Sequence, residues 1–308
     1  MAVVITAVLC AGLFAAHQWE HLDFARFQSH TNGFSEMLNL MLDWRDYVPI
    51  LGIFVLEWLV PVHRRSDSGL TPAAVNDWLW TMLHLIVWAP LIVIVLKGGD
   101  WLFTGPLSWF RIDLSGALPN GVLLAIGFLV GELIRWWVHW TFHRVPTLWR
   151  FHAVHHSQTE LRLWTDFRVH PVEGVLREAV TALPFFLIGG RYSSLVGVLG
   201  FAYVWLTPFH HANIRTNLGP LRWVLVTPQS HRVHHSTNPE HYDCNFGNIL
   251  CIWDRLFRTQ SPDDRSYPAN GVDGYDIADE NDLSPVTVGL NYASRLAEPF
   301  RPTSESVG

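Results

Sequence analysis

Seventeen of the 308 residues are histidine, and eleven of these lie between positions 139 and 235. They fall into a pattern. His139-x-x-x-His143 is followed, after an eight-residue gap, by His152-x-x-His155-His156, and much later by His231-x-x-His234-His235. At this composition about 0.05 matches to HxxHH are expected by chance, so two matches stand above background. On an α-helix, i and i+4 share a face, and i, i+3 and i+4 fall within an arc of about 100°. Each motif is therefore expected to present two or three imidazoles to a single point. Neutral imidazole is a good ligand for zinc, copper, iron or nickel. Eight convergent imidazoles are too many for one tetrahedral ion. They predict two metals with about four protein ligands each, with room left for a bridging water, O2 or substrate. No HExxH occurs and no Glu lies inside a cluster, which disfavours a metalloprotease.

Other residues are graded around these. His211 joins as a ninth candidate ligand, and His210 beside it is the lesser of the pair. His170, in Val-His-Pro-Val-Glu, reads as a group that orients a ligand, since a metal-bound imidazole needs a partner on its other nitrogen. Glu173, Asp166, Glu132 and Asp243 are the candidate carboxylate partners. Glu132 and Arg135 also read as a helical pair that neutralise one another. His84 is expected in an apolar core, and His17, His21, His30, His63 and His241 at surfaces or interfaces.

The elements that must position these groups are apolar. A membrane-crossing helix needs roughly 17–25 residues. Trp78–Leu96 supplies nineteen without a charge, and Gly121–Val138 nearly as many, with Glu132 and Arg135 near its end. Val175–Gly190 and Tyr192–Phe209, split at Gly189-Gly190-Arg191, predict a helical hairpin, while Met1–Ala16 and Val48–Val62 are short for spans. Met1–Ala16 lacks the positive start and A-x-A site of a cleaved signal peptide, and reads as a first membrane helix. Of sixteen Trp, eight (Trp58, Trp78, Trp80, Trp101, Trp109, Trp136, Trp137, Trp140) cluster at the ends of these runs, where amphipathic rings sit at headgroup level. Most Arg falls on the side that carries His63-Arg64-Arg65, residues 139–174 and everything after 210. The positive-inside rule makes that side cytoplasmic. The expected fold is all-α: a multipass membrane helical bundle with a cytoplasmic helical cap carrying a histidine-rich dinuclear metal site. The divisions are 1–118 (N-terminal helices), 119–260 (catalytic domain) and 261–308 (acidic tail).

Composition closes off other classes. The chain is 49% hydrophobic and 16% charged, which excludes disorder for most of it. Three scattered cysteines (Cys10, Cys244, Cys251) form neither a disulfide scaffold nor a CxxC site. The net charge of -6 resides wholly in 261–308, which holds nine acids against three Arg and reads as a solvated terminus. The absence of a basic block argues against a nucleic-acid partner.

The stretch from Trp137 through His139, His143, Arg144, Trp149, His152, His155 and His156 to Ser157 resembles the fatty acid hydroxylase/sterol desaturase superfamily. So do Phe167-Arg-Val-His170-Pro171, His211-Ala-Asn213, Thr227-Pro-Gln-Ser-His231-Arg-Val-His234-His235-Ser236, and the run from Tyr242 through Asn245, Gly247, Asn248 and Trp253-Asp254 to Phe257. The resemblance covers about 120–260. It implies a membrane di-iron oxygenase that uses O2 and external electrons to oxidise a C–H bond of a lipid: a fatty acyl chain, sterol, carotenoid or polar lipid. Two Fe ions, with Zn able to substitute in purified protein, would be held by His139, His143, His152, His155, His156, His231, His234 and His235, with His211 added. Trp140 departs from the Arg that often follows the first His. Without a His-Pro-Gly-Gly haem motif, electrons are expected from a separate ferredoxin- or cytochrome-type donor with its reductase. Hydroxylation is favoured, with desaturation the alternative on the same site. A bacterial inner membrane, with the site on the cytoplasmic side, is the expected location. A metal transporter or haem carrier would place its His along the spans, and a dead scaffold would have lost ligands; here the clusters lie outside the expected spans and none of the eight motif histidines is missing.

Overall fold

The computed structural model describes residues 44–63, 71–113, 118–189, 206–272 and 284–301. The expected helix at 1–16, the second half of the hairpin up to 205, and His17, His21 and His30 lie outside the described residues. What is described is helical, apart from short irregular segments and one parallel pairing of two-residue strands, β1 (Ile112–Asp113) with β2 (Ile188–Gly189).

Helix α1 spans Trp44–Leu59 and α2 spans Pro72–Leu83. A π-helical turn, His84–Trp88, follows α2 directly and leads into α3, Ala89–Thr104. The uninterrupted run expected over 78–96 therefore crosses a change of helical pitch. No helix among the described residues is long and apolar enough to cross a membrane. Helix α4, Asn120–Arg144, is the longest of the described helices at 25 residues, and its C-terminal half carries Glu132, Arg135, His139 and His143. Val145 is extended and Pro146 stands at the first turn of α5 (Pro146–His156), so the proline that stops α4 also starts α5. That turn folds the first two histidine motifs onto one another. Helix α6, Pro171–Leu187, packs on α3, where Gly99 admits the ring of Phe186 at a distance no Cβ would allow.

The third motif sits on α7, Pro228–His234. Seven residues cannot sustain a helix alone. Thr227 and Ser230 cap it reciprocally, Asn245 Nδ2 donates to the Ser230 carbonyl, and Gln229 donates to the carbonyls of Asp263 and Ser266. A short α8 (Ile252–Phe257) and an outer α9 (Pro285–Ala297) complete the described chain.

Among the described residues the apolar core includes two clusters. One cluster joins Ile53 and Leu56 of α1 to Leu163, Phe209, Ile214 and Leu218, and another joins Val138 and Phe142 of α4 to Phe151 of α5. Buried carboxylates add further long-range ties. Asp77 of α2 is fully buried against Arg168 at 2.6 Å and accepts from Gln158 and Thr165. Glu57 accepts from the backbone N–H groups of Leu163 and Asn213.

The segment after 260 differs from a solvated tail. Asn270 Oδ1 accepts from buried Arg232 at 2.7 Å and its amide returns a bond to the Arg232 carbonyl, while Gly271 N–H donates to the His235 carbonyl. Farther on, Tyr292 of α9 lies on Trp80 with ring centroids 4.5 Å apart. The acidic residues are thus interleaved with a stretch that braces the third motif, which charge counting alone does not reveal.

Candidate metal centre

The structure brings the nine candidate histidines together as two adjacent groups. His139, His143, His152, His156 and His234 form the first, and His155, His211, His231 and His235 the second, with one ligating atom from each residue within 4.8 Å of the others in its group. The groups touch, because His156 stacks on His235 with ring centroids 4.1 Å apart. The expectation that each motif converges on a single point is corrected here. In both HxxHH motifs the i and i+4 residues enter one group and the i+3 residue enters the other. His152 and His156 join the first while His155 crosses to the second; His231 and His235 join the second while His234 crosses to the first. The reason is angular: i+4 lies about 40° from i, whereas i+3 lies about 100° from i+4 on the other side.

The hydrogen bonds define which nitrogen faces inward. His155 Nδ1 lies 3.2 Å from the Arg168 carbonyl and His211 Nδ1 3.0 Å from the Thr207 carbonyl. A carbonyl only accepts, so both Nδ1 atoms carry the proton and both Nε2 atoms are bare lone pairs. Those two Nε2 atoms stand 3.0 Å apart. Two lone pairs at that distance repel unless a cation lies between them, and a metal roughly 2.1 Å from each nitrogen fits. The first group repeats this. His139 Nδ1 donates to the Phe246 carbonyl at 2.9 Å, His152 Nδ1 donates to Glu173 at 2.8 Å, and their Nε2 atoms are 3.0 Å apart. His234 Nδ1 donates to the Cys244 carbonyl, leaving a buried Nε2 without a protein partner, as is Nε2 of His143. The donor set therefore fits two cations.

Burial keeps these imidazoles neutral, the form that binds metal. It pushes His139 down to about 4, and His143, His152, His155, His156, His231, His234 and His235 well below their ordinary 6.5. His211 is also lowered by burial, in part offset by Asp166. The same desolvation raises the Glu173 carboxyl to about 7, against the pull of Arg177.

The remaining candidates divide. Glu173 meets His152, and Asp166 lies 3.3 Å from His211 Nδ1. Asp243 stands 3.9 Å from His143 Nδ1, beyond hydrogen-bond range, and pairs with Arg144 at 2.9 Å. Glu132 takes another role: its Oε2 accepts from the backbone N–H groups of Ile249 and Leu250. Arg135 is held by Glu178 of α6. His170 does not orient a ligand. Its Nδ1 accepts from Val172 N–H at the start of α6, and its Nε2 donates to the Leu296 carbonyl in the last turn of α9. His210 is buried outside both groups, its ring 6.0 Å from His231. His84 is half-buried and packs on Phe167, and His63 is exposed. His241, expected at the surface, is buried against Ser236 Oγ at 3.0 Å.

Asp254 was not singled out as a site residue, yet it aims one. Its carboxylate accepts from Trp136 Nε1, Thr259 Oγ1 and the N–H groups of Phe246 and Gly247, holding the turn whose Phe246 carbonyl orients His139. The available signal was its place in the Trp253-Asp254 run of the resemblance. Arg177 carries no such signal, and Asn248 and Trp149 stand out in the sequence only through the resemblance. Trp149 stands against His143 and His156 with centroids 4.9 and 5.3 Å away.

Two cavities reach the histidines. One of about 50 Å³ touches both groups, through His139 and His152 and through His155, His211 and His231. The other, about 310 Å³, reaches His143, His156 and His234 of the first group beside Trp149, Tyr242 and Asp243.

Residues 124–259, which contain all nine histidines, match the family described as fatty acid hydroxylase. An ornithine lipid hydroxylase of Rhizobium tropici is 28% identical over 183 residues, covering 59% of this chain and 51% of that protein. An alkylglycerol monooxygenase of Xenopus tropicalis is 33% identical over 137 residues, covering 44% of this chain and 30% of that protein. A lathosterol oxidase of Mus musculus is 22% identical over 179 residues, covering 54% of this chain and 58% of that protein. The chain thus spans between about a third and three fifths of these relatives. No solved structure matches it.

Proposed function

Since residues 124–259 match the fatty acid hydroxylase family, we propose that the chain belongs to the fatty acid hydroxylase/sterol desaturase superfamily and is a membrane-bound, O2-dependent lipid hydroxylase with two iron ions in the paired histidine groups. The observation that carries the reading is the pair of facing lone pairs in each group, which only a cation reconciles. Iron in this all-imidazole setting supplies the means to activate O2, and the protein's contribution is to hold, orient and shield it. Carbonyls of Phe246, Arg168, Thr207 and Cys244 pin the histidine tautomers, Glu173 draws the His152 Nδ1 proton toward itself, and burial keeps water from competing for the nitrogens. In the overall reaction one oxygen atom enters the C–H bond as hydroxyl. The other leaves as water, with two electrons from an external one-electron carrier and two protons. Desaturation at the same site would consume the same O2 and electrons while removing two hydrogens; the ornithine lipid hydroxylase and alkylglycerol monooxygenase relatives favour hydroxylation.

Lipid contact is supported by the surface. Leu51, Val55 and Trp58 of α1, Ile86 of the π turn, and Ile94 and Trp101 of α3 are all more than half exposed. Apolar side chains exposed in such numbers mark a surface that meets lipid or protein. The larger cavity, lined by Trp149 and Tyr242 and reaching His143, His156 and His234, is the opening through which we propose a separate electron donor approaches the first group.

The test is isotopic. Membranes carrying the full chain, supplied with iron, a reductase system and ¹⁸O2, are expected to yield lipid with one ¹⁸O atom, and His155→Ala is expected to abolish it. Label arriving from water instead of O2, or desaturated lipid as the sole product, would overturn the hydroxylase reading.

A further inference from the structure

The cavity that touches both histidine groups is poorly suited to a hydrocarbon chain. Beyond the histidines, its described lining is Arg135, Asp166, Glu173, Arg177 and Asn248, with only Val138 and Phe142 apolar. Pockets for apolar ligands are lined mainly by apolar and aromatic side chains. At about 50 Å³ it admits only a few heavy atoms. Whatever group lies there has the polar wall and both metal groups as immediate neighbours.

Part of that wall is already committed. Arg135 is gripped by both oxygens of Glu178 at 3.0 and 3.3 Å, and Asp166 is held between Thr207 and His211. Two residues are not. Arg177 makes a single long hydrogen bond, 3.4 Å to Glu178, and lies 3.7 Å from Glu173, so most of its five N–H donors are unused. Asn248 Nδ2 is buried without a hydrogen-bond partner, a state that costs stability unless a ligand relieves it. Both unspent groups are donors. Glu173, on the same wall, keeps a buried Oε2 that a ligand hydroxyl or amine would meet.

We propose that Arg177 and Asn248 receive the polar end of the substrate. The carbon that is oxidised then lies within a few bonds of a hydrogen-bond acceptor (a phosphate, carboxylate, ester or ether oxygen) and not midway along a hydrocarbon chain or on a sterol ring. The inference rests on the oxygenase reading above and narrows its substrate class. Arg177 and Asn248 are specificity residues in this scheme, since neither is among the nine histidines.

The experiment gives the purified, iron-loaded full chain ¹⁸O2 and a chemical one-electron reductant in three arms: vesicles of glycerophospholipid, free long-chain fatty acid, and a sterol. Tandem mass spectrometry locates the label. Label on the headgroup, the glycerol backbone or the first carbons beside the carboxylate is expected, and the first two arms tell a lipid headgroup from a free carboxylate. Label confined to distal chain carbons or to the sterol overturns the inference while leaving the oxygenase standing. No label in any arm, from protein with two metal ions per chain, sinks both. In parallel, Arg177→Gln and Asn248→Ala are expected to raise KM roughly tenfold each with metal content unchanged, as for loss of a hydrogen bond to a charged or buried group. A fall in kcat at constant KM would assign them to bracing the histidine cage, against the proposal.

Discussion

An imidazole binds metal only when its proton is parked on the other nitrogen, and at this site most of the parking is done by backbone carbonyls. The division of the histidines makes a sharp prediction. His231→Ala removes a member of the four-residue group, and metal per chain, measured by plasma mass spectrometry, should fall from about two to about one. His170→Ala, which touches neither group, should leave it at about two. Glu173→Gln keeps the shape of the contact to His152 but weakens its pull on the proton; a 10–100-fold loss of metal affinity in the first group is expected from competition with a chelator. The titration argument has a definite sign. His139 titrates at about 4 in the fold against 6.5 unfolded, so between those values the unfolded chain binds more protons. The His139 contribution to the stability of the metal-free protein is therefore flat above about pH 7 and falls by about 3 kcal/mol as pH drops through 6.5 toward 4. The other buried histidines add to this fall, while Glu173, raised to about 7, opposes it. Thermal midpoints in detergent from pH 8 to 5 check this, and a midpoint that rises on acidification would contradict it.

Elements here are held less by their own propensity than by buried polar clamps. Helix α7 has seven residues, two of which, His231 and His234, are histidines whose nitrogens belong inside the cage, and His235 follows as its C-cap. Its stability comes from the capping pair Thr227–Ser230 and from residues beyond 260 that grip Gln229 and Arg232. The turn at 245–250 depends likewise on Asp254. Asp254→Ala would strand the buried N–H groups of Phe246 and Gly247 and the Trp136 indole, at a cost of about 3 kcal/mol or more. The Phe246 carbonyl would then no longer orient His139, so metal in the first group should be lost before the fold. Gly247→Ala tests the same turn from the other side, because a Cβ there would come within 2.6 Å of the Leu250 carbonyl and 2.8 Å of Asp254 Oδ2. Both variants are read by thermal midpoint and metal content together.

For the whole molecule the unusual feature is polarity turned inward. Asp77, Arg168, Glu57, Glu132 and Arg232 are buried, while Trp58, Trp101 and Ile94 face outward. Water would penalise that arrangement, whereas lipid rewards it. The full chain is expected to stay with the membrane pellet through an alkaline carbonate wash and to leave it only with detergent. Release by carbonate would remove the support for lipid contact, even though a change of helical pitch at His84–Trp88 explains how the longest apolar run is divided.

That these histidines gather in space was legible in the chain because their spacing is a local property. Histidines at i, i+3 and i+4 cannot avoid clustering once a helix forms, and eight such residues exceed what one ion can use. The all-helical class was legible from the apolar runs for the same reason. Which histidine serves which group was not. That depends on how α4, α5 and α7 face one another, and the one-residue offset of His155 and His234 acquires meaning only when two helices meet. The roles of Glu132, Asp254 and Asn270 were equally hidden, because each pairs with residues from 38 to 118 positions away. A carboxylate's partner at such separation is chosen by packing, whereas its charge and size are all that the sequence displays.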